Sequence, residues 1–165
     1  IGATALAAAM TKRKLPNLQR LDLAGNPLGD AGLAALAPAL WHLPKLKKLY
    51  LSETEVGDDG VASLLASLEQ EARRRRLRSE DVLPSLMELH LSHNSITDAG
   101  CAALAAALAG GALPSLRGGP ALKLDNNEAT PAGLEKVKAQ LKRDKCTMCE
   151  DCALKRNHPG ICRPI

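Results

Sequence analysis

Apolar and polar residues follow a leucine-spaced pattern that occurs four times along the chain. Leucines and a final Asn stand in the order L-x-x-L-x-L-x-x-N from Leu18 to Asn26, and Leu15 precedes this run by three residues. Equivalent runs begin at Leu43, Leu83 and Leu113, and the last contains a short insertion before Leu122. Alternation of apolar and polar residues over so few positions predicts a short β-strand in each run.

A second pattern follows each strand pattern at a fixed distance. Six residues after the final Asn, or after Thr54 in the second run, stands a glycine, and from there the apolar period changes from two to about 3.6. The glycines are Gly32, Gly60, Gly100 and Gly133. The apolar positions that follow them, at i, i+3 and i+7, are Leu33, Leu36, Leu40; Val61, Leu64, Leu68; Cys101, Leu104, Leu108; and Leu134, Val137, Leu141. Each unit is therefore predicted to be a strand, a turn and a helix.

The units are expected to stack, because none can bury both its strand and one helix face alone. The strand leucines should face inward from a parallel sheet. The Asn amide should bind backbone groups that the departing strand leaves open, with the Thr54 hydroxyl doing part of that work. We expect the turns before the helices to cap them; these turns are Pro27–Asp30, Gly57–Asp59 and Thr97–Asp98.

The combined pattern resembles the leucine-rich repeat family of the ribonuclease-inhibitor-like type. Members have a strand and a full helix in about 28 residues, and Leu15 to Leu43 is 28 residues here. The resemblance covers residues 2–145. It implies an α/β fold, a right-handed solenoid arc with a parallel β-sheet on its concave face and helices on its convex face. It also implies a mostly intracellular protein that binds other proteins, with no particular partner specified.

The repeats set the predicted domain boundaries. Leu6 and Met10 match Leu36 and Leu40, so the chain is predicted to start within a repeat, with both residues exposed unless further repeats or a partner precede Ile1. The solenoid is predicted over 1–145, as a partial repeat (1–14), repeat 1 (15–42), repeat 2 (43–82, with an insertion at 69–82), repeat 3 (83–112) and repeat 4 (113–145), followed by a Cys-rich basic tail (146–165).

Composition and charge narrow the function classes. The chain lacks Phe and is rich in Leu and Ala, as suits a regular stack. No apolar run reaches about 18 residues, so no membrane span is predicted. Residues 1–134 carry fourteen basic and fourteen acidic side chains, whereas the last 31 residues carry eight and four, which accounts for the net charge of +4. The repeats therefore show no overall basic footprint for nucleic acid, and the tail shows a mild one.

The outward-pointing strand positions are the predicted protein-binding site. Their charges are mixed, and Tyr50 is an aromatic residue of a kind enriched in binding hot spots. An alternative is that this face stays solvated and that partners bind elsewhere. The predicted concave-face residues are Arg20, Asp22, Lys48, Tyr50, Glu88, His90, Lys123 and Asp125, beside Ala24, Ser52 and Ser92.

The insertion at 69–82 carries a run of arginines. Glu69 with Arg73, and Glu71 with Arg75, stand at i, i+4, which favours a lengthened helix. The segment is either a solvated helix end or a docking arm for an acidic protein or RNA, and the absence of neighbouring aromatics weakens the case for RNA. The arginines are Arg73, Arg74, Arg75, Arg76 and Arg78.

The tail contains residues of the types that bind zinc. Their spacing approximates a zinc knuckle, and a structural, tetrahedral zinc held by four of the five is one hypothesis. Free or capping cysteines, disulfides and an iron–sulfur cluster are the alternatives. The five residues are Cys146, Cys149, Cys152, His158 and Cys162. Cys101, in contrast, occupies a core position of repeat 3.

These features predict a non-catalytic interaction or scaffold protein, a subunit or adaptor in a larger intracellular assembly, in the cytoplasm or at the cytoskeleton or cilium. No P-loop, nucleophile elbow or H-E-x-x-H motif is present in the sequence. One alternative is a nucleic-acid-associated protein that uses a basic zinc tail. Another is a small-GTPase regulator, on family resemblance alone.

Overall fold

The computed structural model describes residues 2–12, 15–76, 85–110, 113–116 and 122–143. Helices and short strands alternate along this part of the chain. The elements are α1 (Gly2–Thr11), β1 (Arg20–Asp22), α2 (Gly29–Leu40), β2 (Lys48–Tyr50), α3 (Asp58–Arg76), β3 (Glu88–His90), α4 (Asp98–Ala109), a 3-10 turn (Pro114–Leu116), β4 (Leu122–Lys123) and α5 (Pro131–Arg143).

The four strands form one parallel sheet in the order β1-β2-β3-β4. The register is that of stacked repeats, with Leu21 opposite Leu49, Leu49 opposite Leu89, and Leu89 opposite Leu122. The central residue of each three-residue strand is buried and its two neighbours point to the other side. One face of the sheet thus packs on the core, and the opposite face, which we call the sheet face, points away from the helices.

The helices form a second layer over the buried face of the sheet, with each helix beside the next along the chain. The predicted apolar positions of the first three full helices are buried, Cys101 among them. In α5, Val137 is buried, whereas Leu134 and Leu141 are partly buried. Helix α3 has 19 residues against 12 in α2 and in α4, which confirms the lengthened helix predicted for the insertion.

Two expectations about the helix ends are wrong. Met10 in α1 was expected to be exposed unless further repeats or a partner cover it, but it is fully buried by the described residues alone, while Leu6 is partly buried. Thr97 caps α4 as predicted, because its side chain accepts a hydrogen bond from the Ala99 backbone N–H (3.2 Å). Leu28 at the start of α2 provides no side-chain cap, and Asp30 instead binds the next repeat.

No helix in the described ranges is both long enough and apolar enough to cross a membrane.

Candidate protein-binding site

Neighbouring repeats are joined by polar side chains beyond the strand ends, and we call each such contact region a joint. Asn94 is buried at the centre of the joint between repeats 2 and 3. Its Oδ1 accepts hydrogen bonds from the backbone N–H groups of Thr54 (3.0 Å) and Val56 (3.1 Å) in the preceding repeat. Its Nδ2 donates to the carbonyl of Leu51 across the joint (2.7 Å) and to that of Leu91 in its own repeat (3.1 Å). The amide thus satisfies buried backbone groups beyond the strand end, as the sequence predicted.

The next joint repeats this arrangement. Asn127 accepts from the Ile96 backbone N–H (3.1 Å) and donates to the carbonyls of Leu91 across the joint (2.8 Å) and Leu124 in its own repeat (2.9 Å). The Ile96 N–H of repeat 3 and the equivalent Val56 N–H of repeat 2 therefore find the same kind of acceptor.

The joint between repeats 1 and 2 differs, because Thr54 replaces the asparagine. The Thr54 hydroxyl donates to the Leu51 carbonyl of its own repeat (2.8 Å), which confirms part of the predicted role. The Leu28 N–H, equivalent to that of Val56, donates instead to two backbone carbonyls, that of Asn26 in its own repeat (2.8 Å) and that of Thr54 across the joint (3.1 Å). A shorter side chain is thus accommodated by a backbone acceptor.

An aspartate near the start of each of three helices binds the repeat that follows. Asp30 accepts from the Gly57 N–H (2.7 Å). Asp58 accepts from the N–H groups of Thr97 and Gly100 (both 2.9 Å) and from the Thr97 hydroxyl (2.5 Å). Asp98 likewise binds the N–H and hydroxyl of Thr130 (both 2.7 Å), and these bonds hold the pKa of Asp98 below its usual range. The acidic residues therefore join repeats as well as starting helices.

The repeated glycines leave room for these aspartates. A Cβ at Gly60 would lie 2.5 Å from Asp30 Oδ1, closer than van der Waals contact allows. At Gly100 a Cβ would overlap Asp58 Oδ1, and at Gly133 it would overlap Asp98 Oδ1. At these three positions a glycine is therefore required by contact with the preceding repeat. We call the asparagines, Thr54, these aspartates and these glycines the joint residues.

The joints hold two rows of polar side chains side by side on the sheet face. One row has Arg20, Lys48 and Glu88, and the other has Asp22, Tyr50, His90 and Lys123, as the strand register places them. Seven of the eight predicted concave-face residues therefore share this face, and Asp125 lies beyond the end of β4. Ser92, also expected on this face, is buried.

Tyr50 is the centre of a network of contacts on the sheet face. Its hydroxyl donates to Glu88 Oε2 (2.9 Å), and its ring meets the His90 ring edge-on, with centroids 4.3 Å apart. The Arg20 guanidinium carbon lies 4.5 Å from the centre of the ring, within the range of a cation–π contact. Since these contacts come from the strands on both sides of β2, namely β1 and β3, the position of the tyrosine side chain depends on the stacking of repeats 1 to 3.

Two ion pairs flank the tyrosine. Lys48 Nζ lies 2.7 Å from Glu88 Oε1, and Arg20 binds Asp22 at 2.6 Å within β1. Hydrogen bonds from Lys48 and then Tyr50 lower the pKa of Glu88, and the bond from Arg20 lowers the pKa of Asp22. Glu88 in turn raises the pKa of Tyr50. At neutral pH the network therefore contains two carboxylates and a neutral phenol.

His90 is the least exposed member of the ion pairs in this network, with 19% of its side chain accessible. Burial, and after it the charge of Lys123, lowers the pKa of His90 below its ordinary value. Its Nε2 lies 4.0 Å from Glu88 Oε2, an ion pair only when the imidazole is protonated. The neutral ring thus offers one donor and one acceptor to a partner.

Lys123 and Asp125 complete the face at the side of repeat 4. Both are exposed, and neither forms an ion pair with another residue of the described part. The sheet face therefore combines a centre at Tyr50, held by contacts from both sides, with the exposed charge of Lys123, and Asp125 carries an exposed charge of opposite sign just beyond β4.

The predicted basic insertion is described only in part. Residues 69–76 continue α3, and the side chains of Arg73 and Arg74 are exposed. Glu69 pairs with Arg73 as predicted (3.9 Å), and Glu71 contacts Arg74 (3.5 Å). Arg78 and the side chains of Arg75 and Arg76 lie outside the described residues.

The predicted zinc ligands also lie outside the described residues, so zinc binding by four of Cys146, Cys149, Cys152, His158 and Cys162 stays a prediction. Within the described ranges, no group of three or more His, Cys, Asp or Glu side chains could hold a metal ion.

Comparisons with known proteins support the repeat architecture. A family model described as "Leucine Rich repeat" matches residues 14–37, 42–65 and 82–105. The fold is similar to that of a solved structure titled "Leiomodin-1 Actin-Binding Site 2 (ABS2)", with a TM-score of 0.53 and 16% sequence identity over 83% of this chain and 86% of that chain. No curated protein sequence matches this chain at a significant level.

The fold is an α/β leucine-rich repeat solenoid, as predicted. The repeated motif, the parallel sheet and the structural similarity agree on this class. The ribonuclease-inhibitor-like subtype stays a prediction, and an identity of 16% carries the fold alone.

Proposed function

We propose that this chain is a non-catalytic protein-interaction module that binds its partner through the sheet face, as a subunit or adaptor of a larger assembly. The observation that carries the proposal is the fixed Tyr50, held by Arg20, Glu88 and His90 in the middle of that face. Buried or half-buried tyrosines at the centre of a surface contribute much of the binding energy in protein interfaces.

The network supports binding for an energetic reason. Association costs free energy whenever flexible side chains must be ordered, at about 0.5–1.5 kcal/mol for each side chain immobilised. Tyr50 and Glu88 already hold one another at 2.9 Å before any partner arrives. A partner that packs on Tyr50 therefore meets side chains that are already ordered.

The charge distribution favours a protein partner. Arg20 and Lys48 each have a carboxylate within 2.7 Å, so the face has little net charge at its centre. A polyanion such as nucleic acid requires a continuous basic surface. Mixed charges around an aromatic centre are instead typical of protein interfaces.

A photoreactive amino acid placed on the sheet face tests this directly. It would replace Lys123, which is exposed at the end of the face, and the control would replace Lys136, a lysine exposed on α5 in the helix layer. We expect irradiation in a native extract to give discrete protein adducts from position 123 and far weaker ones from position 136. Equal adducts from both positions, or none from position 123, would contradict the proposal.

The cellular setting belongs to the same proposal. We place the chain inside the cell, in the cytoplasm or at the cytoskeleton or cilium, in an assembly with other proteins. The similar leiomodin structure is titled as an actin-binding site. Purified actin is therefore a suitable first probe in the crosslinking experiment, beside the extract.

For the tail we propose a structural zinc. Thiolate and imidazole groups suit tetrahedral zinc, and a short segment without a core of its own gains order from a metal. Native mass spectrometry of the single chain, before and after a chelator, tests it: the proposal expects an excess of one zinc ion that the chelator removes. A native mass equal to that of the bare chain would refute it.

A further inference from the structure

Helix α3 continues beyond the helices on either side of it. Leu68 occupies the position of Leu40 in α2 and of Leu108 in α4, near where those helices end. From there α3 runs on to Arg76, which adds about two turns without a counterpart in either neighbour. We call residues 69–76 the α3 extension.

The described side chains of the α3 extension are strongly exposed at its basic positions. Arg73 is 81% exposed and Arg74 76% exposed, whereas Glu71 is 18% exposed. The contacts of these arginines with Glu69 and Glu71, at 3.9 and 3.5 Å, are long for ion pairs. Both guanidinium groups are therefore open to a partner, because more than three quarters of each arginine side chain is exposed.

The basic residues of this segment are arginines and not lysines, which bears on the kind of ligand they would bind. Five of the eight arginines in residues 1–134 lie between 73 and 78, although lysine would serve equally to keep a helix end soluble. Favourable interaction with the helix dipole requires only a cation near the last turn. Arginine differs from lysine in binding a carboxylate through two parallel N–H groups.

We propose that the α3 extension is a docking arm for an acidic segment of a partner protein, separate from the sheet face. Carboxylates match the exposed guanidinium groups in charge and geometry. RNA fits less well, because single-stranded RNA is held by stacking on aromatic rings. Trp41 is buried in the core and Tyr50 is engaged on the sheet face, so neither aromatic is available beside the arm.

The test measures binding of the full chain to three fluorescent probes in low and moderate salt. The probes are poly-L-glutamate, a mixed-sequence single-stranded RNA, and vesicles of phosphatidylserine and phosphatidylcholine. The variant R73E/R74E reverses the charge of two side chains of the arm. The control variant K136E/K142E makes the same change of net charge at exposed positions of α5. Circular dichroism checks that both fold, and R73Q/R74Q serves in place of a misfolded reversal variant.

We expect poly-L-glutamate to bind the native chain more tightly than the other probes, with affinity that falls as salt rises. R73E/R74E should weaken this binding at least about tenfold and K136E/K142E less than about threefold. R73K/R74K, which keeps the charge, should weaken it by an intermediate factor because paired hydrogen bonds are lost. The proposal would be overturned if poly-L-glutamate did not bind, or if RNA or the vesicles bound more tightly than it. It would also be overturned if the two reversal variants lost affinity for poly-L-glutamate equally, or if R73K/R74K kept the native affinity.

Discussion

The sheet face and the joints occupy the same four repeats, yet their residues vary in opposite ways. At the position before the buried strand leucine the sheet face has Arg20, Lys48 and Glu88 in successive repeats. At each of the three joints the same residue types meet, an aspartate of one repeat with an asparagine or threonine and a glycine of the repeat that follows. Joint residues contact a neighbouring repeat and must match it, whereas sheet-face residues point outward.

This difference separates folding from recognition within one short motif. At the joints the buried amide of Asn94 and the partly buried aspartates satisfy backbone groups that would otherwise lose their partners on leaving water. The sheet face contributes contacts among exposed or half-buried side chains, whose individual effect on stability is small. Changes at the joints should therefore affect folding, and changes on the face should affect binding.

Replacing Asn94 by Ala should have the largest effect on stability. It removes the acceptor of the Thr54 and Val56 N–H groups and the donor to Leu51. Buried groups left without partners cost about 1–3 kcal/mol each, so we expect a loss of about 2–4 kcal/mol in the free energy of unfolding, measured in urea.

The matched control for this change is Asn26→Ala. Asn26 is exposed, and within the described residues its amide donates only to the carbonyls of Leu23 and Ala24 in its own repeat, so the loss should stay below about 1 kcal/mol. Equal losses at Asn26 and Asn94 would show that bonds across the joint add nothing.

Gly100→Ala should have the second largest effect, because the new Cβ would overlap Asp58 Oδ1 and the Ile96 side chain. We expect the free energy of unfolding, measured in urea, to fall by about 1–3 kcal/mol. Gly110→Ala is the control, since a Cβ there has its nearest neighbour at an ordinary 3.5 Å.

A double-mutant cycle separates this contact from other effects of the alanine. If Asp58 causes the overlap, D58A/G100A should be less destabilised than the sum of the single variants by about 0.5–3 kcal/mol. Strict additivity would mean that the glycine does not make room for the aspartate.

Replacing His90 on the sheet face should have the smallest effect, a change in how the free energy of unfolding depends on pH. Its folded pKa is depressed, so it contributes stability above its ordinary pKa that is lost as the pH falls through the folded value. Between about pH 7.5 and about pH 5.5 the free energy of unfolding should therefore fall less steeply in His90→Gln than in the native chain. Lys123→Gln should also make the slope shallower, since Lys123 is the second cause of the depression. A steeper fall of the free energy of unfolding with decreasing pH in His90→Gln would mean that folding does not lower the pKa of His90.

The sequence predicts the fold in detail because its signal is repeated. Leucine spacing defines the strands, the change of period defines the helices, and the amide of Asn94 performs the predicted task at the turn. The lengthened α3 follows from Glu–Arg spacing that local helix geometry decides.

The joints were only half predictable. The glycine spacing marked each helix start, but three of the glycines are required by an aspartate of the preceding repeat, and the contact between Asp58 and Gly100 joins residues 42 positions apart. The aspartates were expected to cap their own helices because a single repeat shows only local neighbours. Comparing the Asp and Gly positions of adjacent repeats in the alignment of the four units could have revealed the pairing.

The sheet face was predictable in its members and not in its contacts. Alternation along a strand places Tyr50 and His90 on one side, but their ring contact depends on the register between strands. The lowered pKa of His90 likewise depends on burial and on Lys123 from another strand.

The most direct test of the separation between joints and face is the affinity of Tyr50→Ala for the partner identified by crosslinking. The account predicts a loss of at least about tenfold in affinity, with a urea midpoint much closer to that of the native chain than the Asn94→Ala midpoint is. An unchanged affinity, or a loss of stability as large as that of Asn94→Ala, would contradict it.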